Sequence, residues 1–207
     1  MKLLLASNGQ FLIEQGYKLL GIPLDKIKLG WITTASKGVD DKTYLERHKA
    51  QMREQGLSFE EFDIEGKTPE QLSAFLKTKN VIHLEGGNTF YLLMAVKETG
   101  FDVILKKALE NGLIYVGTSA GAYLVCPTIE AATWEANPKD SYGLTDLRAL
   151  NLVPFLLKVH YKDVMASALK ERLAQATYPV RILRDGQGIL AENNTYTFVG
   201  EGEEVKL

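Results

Sequence analysis

Residues 117–121 have the sequence Gly-Thr-Ser-Ala-Gly, which matches the Gly-x-Ser-x-Gly pattern of a nucleophile elbow. The apolar run 113–116 precedes this segment and small residues follow it, as expected for a tight turn from a buried strand into a helix. Such a turn projects the serine hydroxyl into a crevice, and the N–H of the next residue, Ala120, can donate to the oxyanion of a tetrahedral intermediate. The pattern predicts Ser119 as the nucleophile of an acyl hydrolase, with a purely structural turn as the alternative.

A serine hydroxyl needs a general base within hydrogen-bond reach, and the chain contains three histidines. His48 lies between charged residues of a helical segment, so we expect it to face solvent. His83 lies within the apolar segment 81–84, where a buried core histidine is expected. His160 follows the apolar run 152–159, at the junction of a predicted strand and a loop. Elimination and position favour His160 as the base.

The third member of such a triad is a carboxylate that orients the histidine. Asp185 follows the predicted strand 180–183 and opens a glycine-containing turn, and crevices form at the strand ends of a parallel sheet. An aspartate in a glycine-rich turn is also common for structural reasons alone. Glu130 and Glu135, in the loop after the elbow helix, are the alternatives to Asp185.

A second glycine-rich turn, Glu-Gly-Gly-Asn-Thr-Phe at 85–90, follows a predicted buried strand and precedes a helix. Because N–H groups at a helix N-terminus bind anions, Gly87 is predicted to supply the second oxyanion donor beside Ala120. Asn88 and Thr118, adjacent to the two turns, are the predicted substrate-binding residues. The segment lacks the glycine spacing of the P-loop and of the dinucleotide-binding motif, which makes phosphate a weaker interpretation of the anion.

Short apolar runs alternate with helical patterns along the chain, which is typical of a parallel sheet with crossover helices. Strands are expected at 3–6, 27–33, 57–64, 80–84, 113–116 and 180–183, and helices at 11–20, 42–55, from 69 onward, 89–98, 101–111 and 163–176. The predicted fold is α/β, with a mostly parallel, flavodoxin-like central sheet flanked by helices, in a single domain spanning 1–207. A terminal β-hairpin or meander is expected at 196–207.

Composition excludes several classes of partner. The 207 residues carry a formal net charge of −2, and no basic cluster of the kind that binds nucleic acid occurs. No apolar stretch approaches the roughly 20 residues that span a bilayer, and the apolar start 3–6 is too short for a secretory signal. The single cysteine, Cys126, excludes an internal disulfide and a multi-cysteine metal site and suits a reducing compartment. We therefore predict a cytoplasmic protein without nucleic-acid, membrane, metal or cofactor partners.

Three segments together resemble the dipeptidase E (aspartyl dipeptidase) and cyanophycinase family of serine peptidases. They are Gly-Gly-Asn-Thr-Phe at 86–90, Gly-Thr-Ser-Ala-Gly-Ala at 117–122 and Cys-Pro-Thr-Ile at 126–129. The resemblance covers most of the chain and implies a fold like that of class I glutamine amidotransferases, with serine replacing their nucleophilic cysteine. It also implies metal-free hydrolysis of peptide bonds in small substrates. By matching position it implies a nucleophile, base, acid and two oxyanion donors at Ser119, His160, Asp185, Gly87 and Ala120.

The segment after His160 departs from that family. Dipeptidase E has a glycine-containing loop there with an arginine that recognises the substrate's aspartate, whereas residues 161–168 are shorter and contain no arginine. Trp134 stands where the family has an aspartate. The chemistry is therefore expected to carry over while aspartyl specificity is not, with Lys162 or Arg172 as alternative partners for a carboxylate.

Three functions follow from these residues. The preferred one is a serine peptidase that hydrolyses short peptides through an acyl-enzyme, with a small peptide as its substrate. An esterase or amidase that uses the same elbow is the second. The third is a non-catalytic, flavodoxin-like module in which the two glycine-rich turns hold an anion or a nucleotide.

Overall fold

The computed structural model describes residues 1–134 and 140–207, and within them nine strands and seven α-helices alternate as an α/β fold. The strands are β1 Lys2–Ala6, β2 Leu29–Ile32, β3 Phe59–Phe62, β4 Val81–Leu84, β5 Ile114–Thr118, β6 Leu156–Lys158, β7 Val180–Ile182, β8 Gln187–Glu192 and β9 Thr195–Gly200. The helices are α1 Gly9–Glu14, α2 Thr43–Glu54, α3 Pro69–Lys77, α4 Thr89–Thr99, α5 Phe101–Glu110, α6 Ala120–Leu124 and α7 Ala166–Gln175.

The central sheet has seven strands in the order β3-β2-β4-β5-β1-β8-β9. The first five are parallel, while β8 runs antiparallel to β1 and β9 antiparallel to β8. Alternate residues of β1 belong to different hydrophobic clusters, Leu3 and Leu5 to one and Leu4 and Ala6 to the other, so the sheet is packed on both faces. The predicted mostly parallel α/β sheet is confirmed.

The register of the sheet brings three strand ends to one edge. Ala6 lies opposite Thr118 and Leu84 lies opposite Gly117, so β1, β4 and β5 end side by side. The polar residues that follow parallel strands at such an edge face a common crevice. The chain segments that leave these strands therefore meet where the elbow was predicted.

Three predicted elements differ from the structure. The helix predicted at 11–20 is instead α1 followed by a 3₁₀ helix at Gly16–Leu20. The C-terminal hairpin consists of β8 and β9 rather than residues 196–207, and it turns at Asn193 and Asn194, both with positive φ, as a two-residue hairpin turn requires. The strand predicted at 180–183 forms β7, which pairs with β6 in a separate two-stranded parallel sheet instead of joining the central one.

Among the described residues, no helix combines the length and the apolar character that a membrane crossing needs.

Candidate active site

Ser119 occupies a strained turn between β5 and α6, as the elbow pattern predicts. Its φ of 48° and ψ of −105° are unusual for a residue with a side chain, and its N–H donates to the carbonyl of Ala6 at 3.1 Å. The flanking glycines are required by close backbone packing. A Cβ on Gly121 would lie 2.1 Å from the carbonyl oxygen of Leu84, and one on Gly117 would lie 2.5 Å from that of Gly121.

His160 and Asp185 complete a hydrogen-bonded chain with this serine. The distance from His160 Nε2 to Ser119 Oγ is 3.0 Å, and that from His160 Nδ1 to Asp185 Oδ1 is 2.6 Å. With Nδ1–H donated to the carboxylate, Nε2 is left as the acceptor for the serine hydroxyl. The hydrogen bond from His160 lowers the pKa of Asp185, so this carboxylate is ionised at neutral pH.

The acid bonded to His160 is Asp185 and not Glu130, and it is contributed by the turn after β7. Glu135, the other alternative, lies outside the described residues. Neither Lys162 nor Arg172 lines the cavity beside the serine, although Lys162 contributes a small electrostatic lowering of the pKa of Asp185.

Ser7, which follows β1, contacts both Asp185 and His160, and the sequence reasoning missed it. Its hydroxyl donates to Asp185 Oδ1 at 3.0 Å and accepts the backbone N–H of His160 at 2.9 Å. His160 has a φ of 57°, and this N–H bond helps to hold that uncommon backbone conformation. The signal in the sequence was the position of Ser7 at the end of a buried strand, the same criterion that identified Asp185.

The second glycine-rich turn packs directly against Ser119. A Cβ on Gly86 would lie 3.2 Å from that of Ser119. Gly87 has a φ of 150°, and a Cβ there would lie 2.3 Å from the carbonyl oxygen of Ala35, so only glycine fits. The turn therefore lies beside Ser119, and the oxyanion-donor roles of Gly87 and Ala120 stay predictions.

Asn88 acts as the N-cap of α4. Its Oδ1 accepts the N–H groups of Phe90 and Tyr91 at 2.9 and 3.1 Å, and its Nδ2 donates to the carbonyl of Asp140. The side chain is buried, and Asn88 is not among the described residues that line the cavity. Its visible task is to fix the turn, and its predicted contact with substrate stays a prediction.

A buried carboxylate, that of Glu85, forms hydrogen bonds with both glycine-rich turns. Its Oε1 accepts the N–H of Gly86 and the hydroxyl of Thr118, both at 2.7 Å. Its Oε2 accepts Trp31 Nε1–H at 3.1 Å and His48 Nδ1–H at 3.0 Å. Four donors saturate the lone pairs of an ionised carboxylate, which is what makes its burial tolerable. Thr118, predicted to bind substrate, lines the cavity, but its hydroxyl donates its hydrogen bond to Glu85.

The protonation states in this cluster follow from its hydrogen bonds. Burial by itself raises the pKa of Glu85, but the neighbouring histidines and the Gly86 N–H outweigh it and lower the pKa to about 2. Burial also lowers the pKa of His83 to about 4, so its ring is neutral at neutral pH. A consistent chain results, in which the Tyr17 hydroxyl donates to His83 Nδ1 and His83 Nε2–H donates to Thr118. The prediction of a buried core histidine at 83 is confirmed.

The prediction that His48 faces solvent is wrong. His48 is 5% exposed and lies on the buried face of α2 with Leu45 and Met52, at spacings of three and four residues. This apolar spacing was the signal that the charged neighbours of His48 obscured. His48 is part of the wall of the cavity that Ser119 also lines.

A cavity of about 310 Å³ opens beside Ser119 and His160. Its walls come from the segment after β1, from the N-terminal half of α2 and from the two glycine-rich turns. Arg47 and Asp41 supply opposite charges to the α2 wall. Within the described part of the chain, no group of three or more His, Cys, Asp and Glu side chains is arranged to hold a metal ion.

Comparison with known proteins identifies relatives that cover from two thirds to nearly all of the chain. An uncharacterized peptidase of Pasteurella multocida is 28% identical over 197 residues, which are 94% of this chain and 95% of the relative. Peptidase E of Streptomyces coelicolor is 28% identical over 219 aligned residues, which cover 97% of this chain and 85% of the relative. An uncharacterized peptidase of Listeria innocua is 32% identical over 143 residues, 69% of this chain and 68% of the relative.

A solved structure shows the same architecture. The crystal structure of a candidate peptidase E protein from Listeria monocytogenes EGD-e superposes with a TM-score of 0.84 at 26% identity, covering 97% of this chain and 98% of that one. The model of Peptidase family S51 matches residues 3–199. This match includes both glycine-rich turns and all three members of the Ser119–His160–Asp185 chain. The chain is therefore a peptidase that belongs to family S51.

Proposed function

We propose that this chain is a serine peptidase that hydrolyses short peptides through an acyl-enzyme. The observation that carries the proposal is the continuous hydrogen-bonded chain from Asp185 through His160 to the hydroxyl of Ser119, which opens into the cavity. A nucleophile, a base and an orienting acid in this order meet the geometric requirement for covalent acyl transfer.

In the first half of the reaction, Ser119 Oγ attacks the carbonyl carbon of the scissile peptide bond while His160 Nε2 takes the hydroxyl proton. The N–H groups of Gly87 and Ala120 donate hydrogen bonds to the resulting oxyanion. They stabilise the negative charge that develops on this oxygen in the transition state. The C–N bond then breaks, and His160 returns its proton to the leaving amine. An ester between Ser119 and the acyl half of the substrate remains.

In the second half, water replaces the amine. His160 Nε2 takes a proton from the water as the hydroxide attacks the ester carbonyl, and a second oxyanion forms at the same donors. The intermediate collapses, His160 gives its proton to Ser119 Oγ, and the carboxylic acid product leaves. Asp185 remains ionised throughout and stabilises the imidazolium that forms in each half.

A small peptide is the proposed substrate because a cavity of about 310 Å³ accommodates a few residues at most. The relatives named peptidase E support a peptide rather than another acyl compound. The arginine in this cavity is Arg47 of α2, not a residue of the segment after His160. We therefore propose that the specificity of this site differs from aspartyl-dipeptide hydrolysis.

The test compares the native chain with Ser119→Ala on a dipeptide library that includes aspartyl and non-aspartyl N-termini. Loss of the nucleophile should lower kcat by about 10⁴-fold or more while the melting temperature stays nearly unchanged. Ser141→Ala, which alters an exposed serine, is the matched control and should behave like the native chain. Full turnover by Ser119→Ala would refute the proposed nucleophile.

Parallel amide and ester substrates with the same acyl group address the second candidate, since the elbow alone does not distinguish the two bonds. Preference for the amide supports the peptidase, and cleavage of esters alone would favour an esterase. A nucleotide that raises the melting temperature without turnover of either substrate would favour the non-catalytic binding module.

A further inference from the structure

The cavity contains a second imidazole, that of His48, which takes no part in the proposed acyl transfer. His48 lines the same cavity as Ser119 and His160, and its Nδ1 is bonded to Glu85. A carboxylate that accepts a hydrogen bond from one ring nitrogen of a histidine fixes the orientation of the ring. The other ring nitrogen then points in a defined direction, towards a second partner. The direction of His48 Nε2 is therefore set by the protein.

Three contacts hold this ring in place. Glu85 accepts Nδ1–H at 3.0 Å, and the ring of Tyr44 packs edge-on with centroids 5.7 Å apart. Gly9 leaves the space that the ring needs, because a Cβ at that position would lie 2.2 Å from His48 Cε1. Tyr44 is itself fixed by donating its hydroxyl to the carbonyl of Gly86 at 2.8 Å. The ring is as constrained as a ligand-binding group needs to be.

His48 Nε2 is the polar atom that these contacts leave for the cavity. Among the described residues no group pairs with it, although the side chain is only 7% exposed. With Nδ1–H donated to Glu85, Nε2 is the ring nitrogen left to accept a hydrogen bond. A nearly buried acceptor in a substrate cavity requires a donor on the substrate to replace the water that it loses.

The charges around His48 favour a positively charged donor. Glu85 is ionised directly behind the ring, and Asp41 adds a second carboxylate to the same wall. Arg47 is the one permanent cation among the described residues that line the cavity, so the carboxylates outnumber it. An ammonium group carries both the N–H donors and the charge that match this wall.

We propose that His48, oriented by Glu85, is a specificity-determining residue that accepts a hydrogen bond from an ammonium group of the substrate. The proposal rests on the proposed function, because it assigns a binding role within the same cavity. An ammonium group on a short peptide is either the free α-amino terminus or the side chain of a lysine, and the two sources are separable by experiment.

The experiment measures KM and kcat for matched peptides with the native chain and His48→Phe. One pair of substrates differs by N-acetylation, and a second pair of N-acetylated peptides carries lysine or norleucine in the acyl half. Because a hydrogen bond to a charged group is lost, KM for the ammonium-bearing member of a pair should rise about 10- to 100-fold, with kcat changed little. KM for its uncharged partner should stay unchanged. A rise confined to the free-terminus substrate identifies the α-ammonium, and a rise confined to the lysine substrate identifies the side chain.

Two further variants separate recognition from damage to the fold. His48→Gln retains an acceptor near the position of Nε2 and should recover part of the preference for the ammonium group. Gly9→Ala keeps the imidazole but would place a methyl group 2.2 Å from His48 Cε1, so it should displace the ring and raise KM in the same substrate-selective way. Arg47→Gln removes the one permanent cation of this wall among the described residues and should strengthen the preference for the ammonium group rather than abolish it.

The proposal is overturned if His48→Phe and Gly9→Ala change KM equally for charged and uncharged substrates, or if Arg47→Gln alone abolishes the preference. The rate at which a fluorophosphonate labels Ser119 keeps this result separate from the proposed function. If a variant of His48 is labelled at the native rate but its preference for the ammonium group is altered, the result bears on the role of His48 and not on the serine mechanism. Absence of labelling in the native chain, together with turnover by Ser119→Ala, would instead refute the serine mechanism.

Discussion

Two carboxylate–histidine pairs meet at one cavity, and they differ in burial and in what the second ring nitrogen faces. In the pair at the rim, the side chains of Asp185 and His160 are 52% and 38% exposed. In the pair below the cavity wall, those of Glu85 and His48 are 2% and 7% exposed. The rim pair has the shorter hydrogen bond, 2.6 Å against 3.0 Å, and it is the one that continues to Ser119.

The difference shows that a carboxylate–histidine pair does not by itself identify a catalytic base. A base must exchange protons with substrate and water, and the partly open position of His160 next to the Ser119 hydroxyl suits the proposed role of base. Glu85 has all its lone pairs occupied by donors from β2, α2 and the two turns, so its main effect is to hold those elements in register. Exposure suits proton transfer, and burial suits positioning.

Asp185→Asn is expected to have the largest effect and to distinguish the two carboxylate–histidine pairs most clearly. An asparagine cannot stabilise the imidazolium, and its amide favours the wrong ring tautomer, so kcat should fall about 10³- to 10⁴-fold. The melting temperature should change little because the carboxylate is half exposed. Steady-state kinetics and thermal unfolding measure the two effects. Asp163→Asn removes an exposed carboxylate that pairs with Arg184 and should leave kcat unaffected; an equal loss in both variants would contradict the role of Asp185.

Glu85→Gln should show the opposite balance, with a large loss of stability and a smaller loss of activity. Replacing the carboxylate leaves buried donors without an ionised partner, which costs about 3 kcal/mol of unfolding free energy. Loosening of the two turns should lower kcat by about 10- to 100-fold. Urea unfolding and kinetics at neutral pH test both effects, with the exposed Glu60→Gln as the control.

The pH dependence of stability sharpens the same test. Although burial opposes it, the surrounding histidines and N–H donor lower the pKa of Glu85 to about 2 in the folded chain, from an ordinary value of 4.5. The stabilisation from an ionised Glu85 is therefore complete above about pH 4.5 and is lost as the pH falls towards about 2. The native chain should lose stability faster than Glu85→Gln across this window. Parallel unfolding curves would show that Glu85 does not contribute.

The smallest effect is expected from Ser7→Ala. This change removes one donor to Asp185 and the acceptor of the His160 N–H, without touching the bond between His160 and Ser119. The loss of about 1 kcal/mol from a neutral hydrogen bond corresponds to a fall in kcat of roughly 5- to 10-fold. Ser58→Ala, at an exposed position, is the control in the same kinetic assay. A loss as large as that in Asp185→Asn would show that Ser7 has a more direct role.

The elbow and its partners were predictable from sequence because their signals are local. The turn at 117–121 needs small residues on both sides of the serine, and five consecutive positions show this pattern. The polar residues His160 and Asp185 each lie where an apolar segment ends. The same rule applied to Ser7 would have included it. The hairpin was placed too late because the glycine-containing turn that Asp185 opens continues directly into β8, whose first two residues, Gln187 and Gly188, resemble turn residues.

Glu85 and His48 were not recognised because their roles depend on distant partners. Helix periodicity places His48 on an apolar face, but its charged neighbours suggested solvent, and no local pattern shows that a carboxylate 37 positions away lies beneath that face. Glu85 precedes a glycine turn in the sequence. Only the parallel pairing of β4 with β5 brings it under the hydroxyl of Thr118.

The sequence by itself determined the alternation of strands and helices, the strained turn at Ser119 and the glycines that allow close backbone approach, since these are consequences of local sterics and apolar periodicity. Only the tertiary structure decided which carboxylate meets which histidine. Ser7 and Asp185 are 178 positions apart and become neighbours because β1 pairs antiparallel with β8, so that the end of β1 lies beside the start of β8. Hydrogen bonds act over about 3 Å, so their partners are set by strand order and register, which the packing of the whole chain selects.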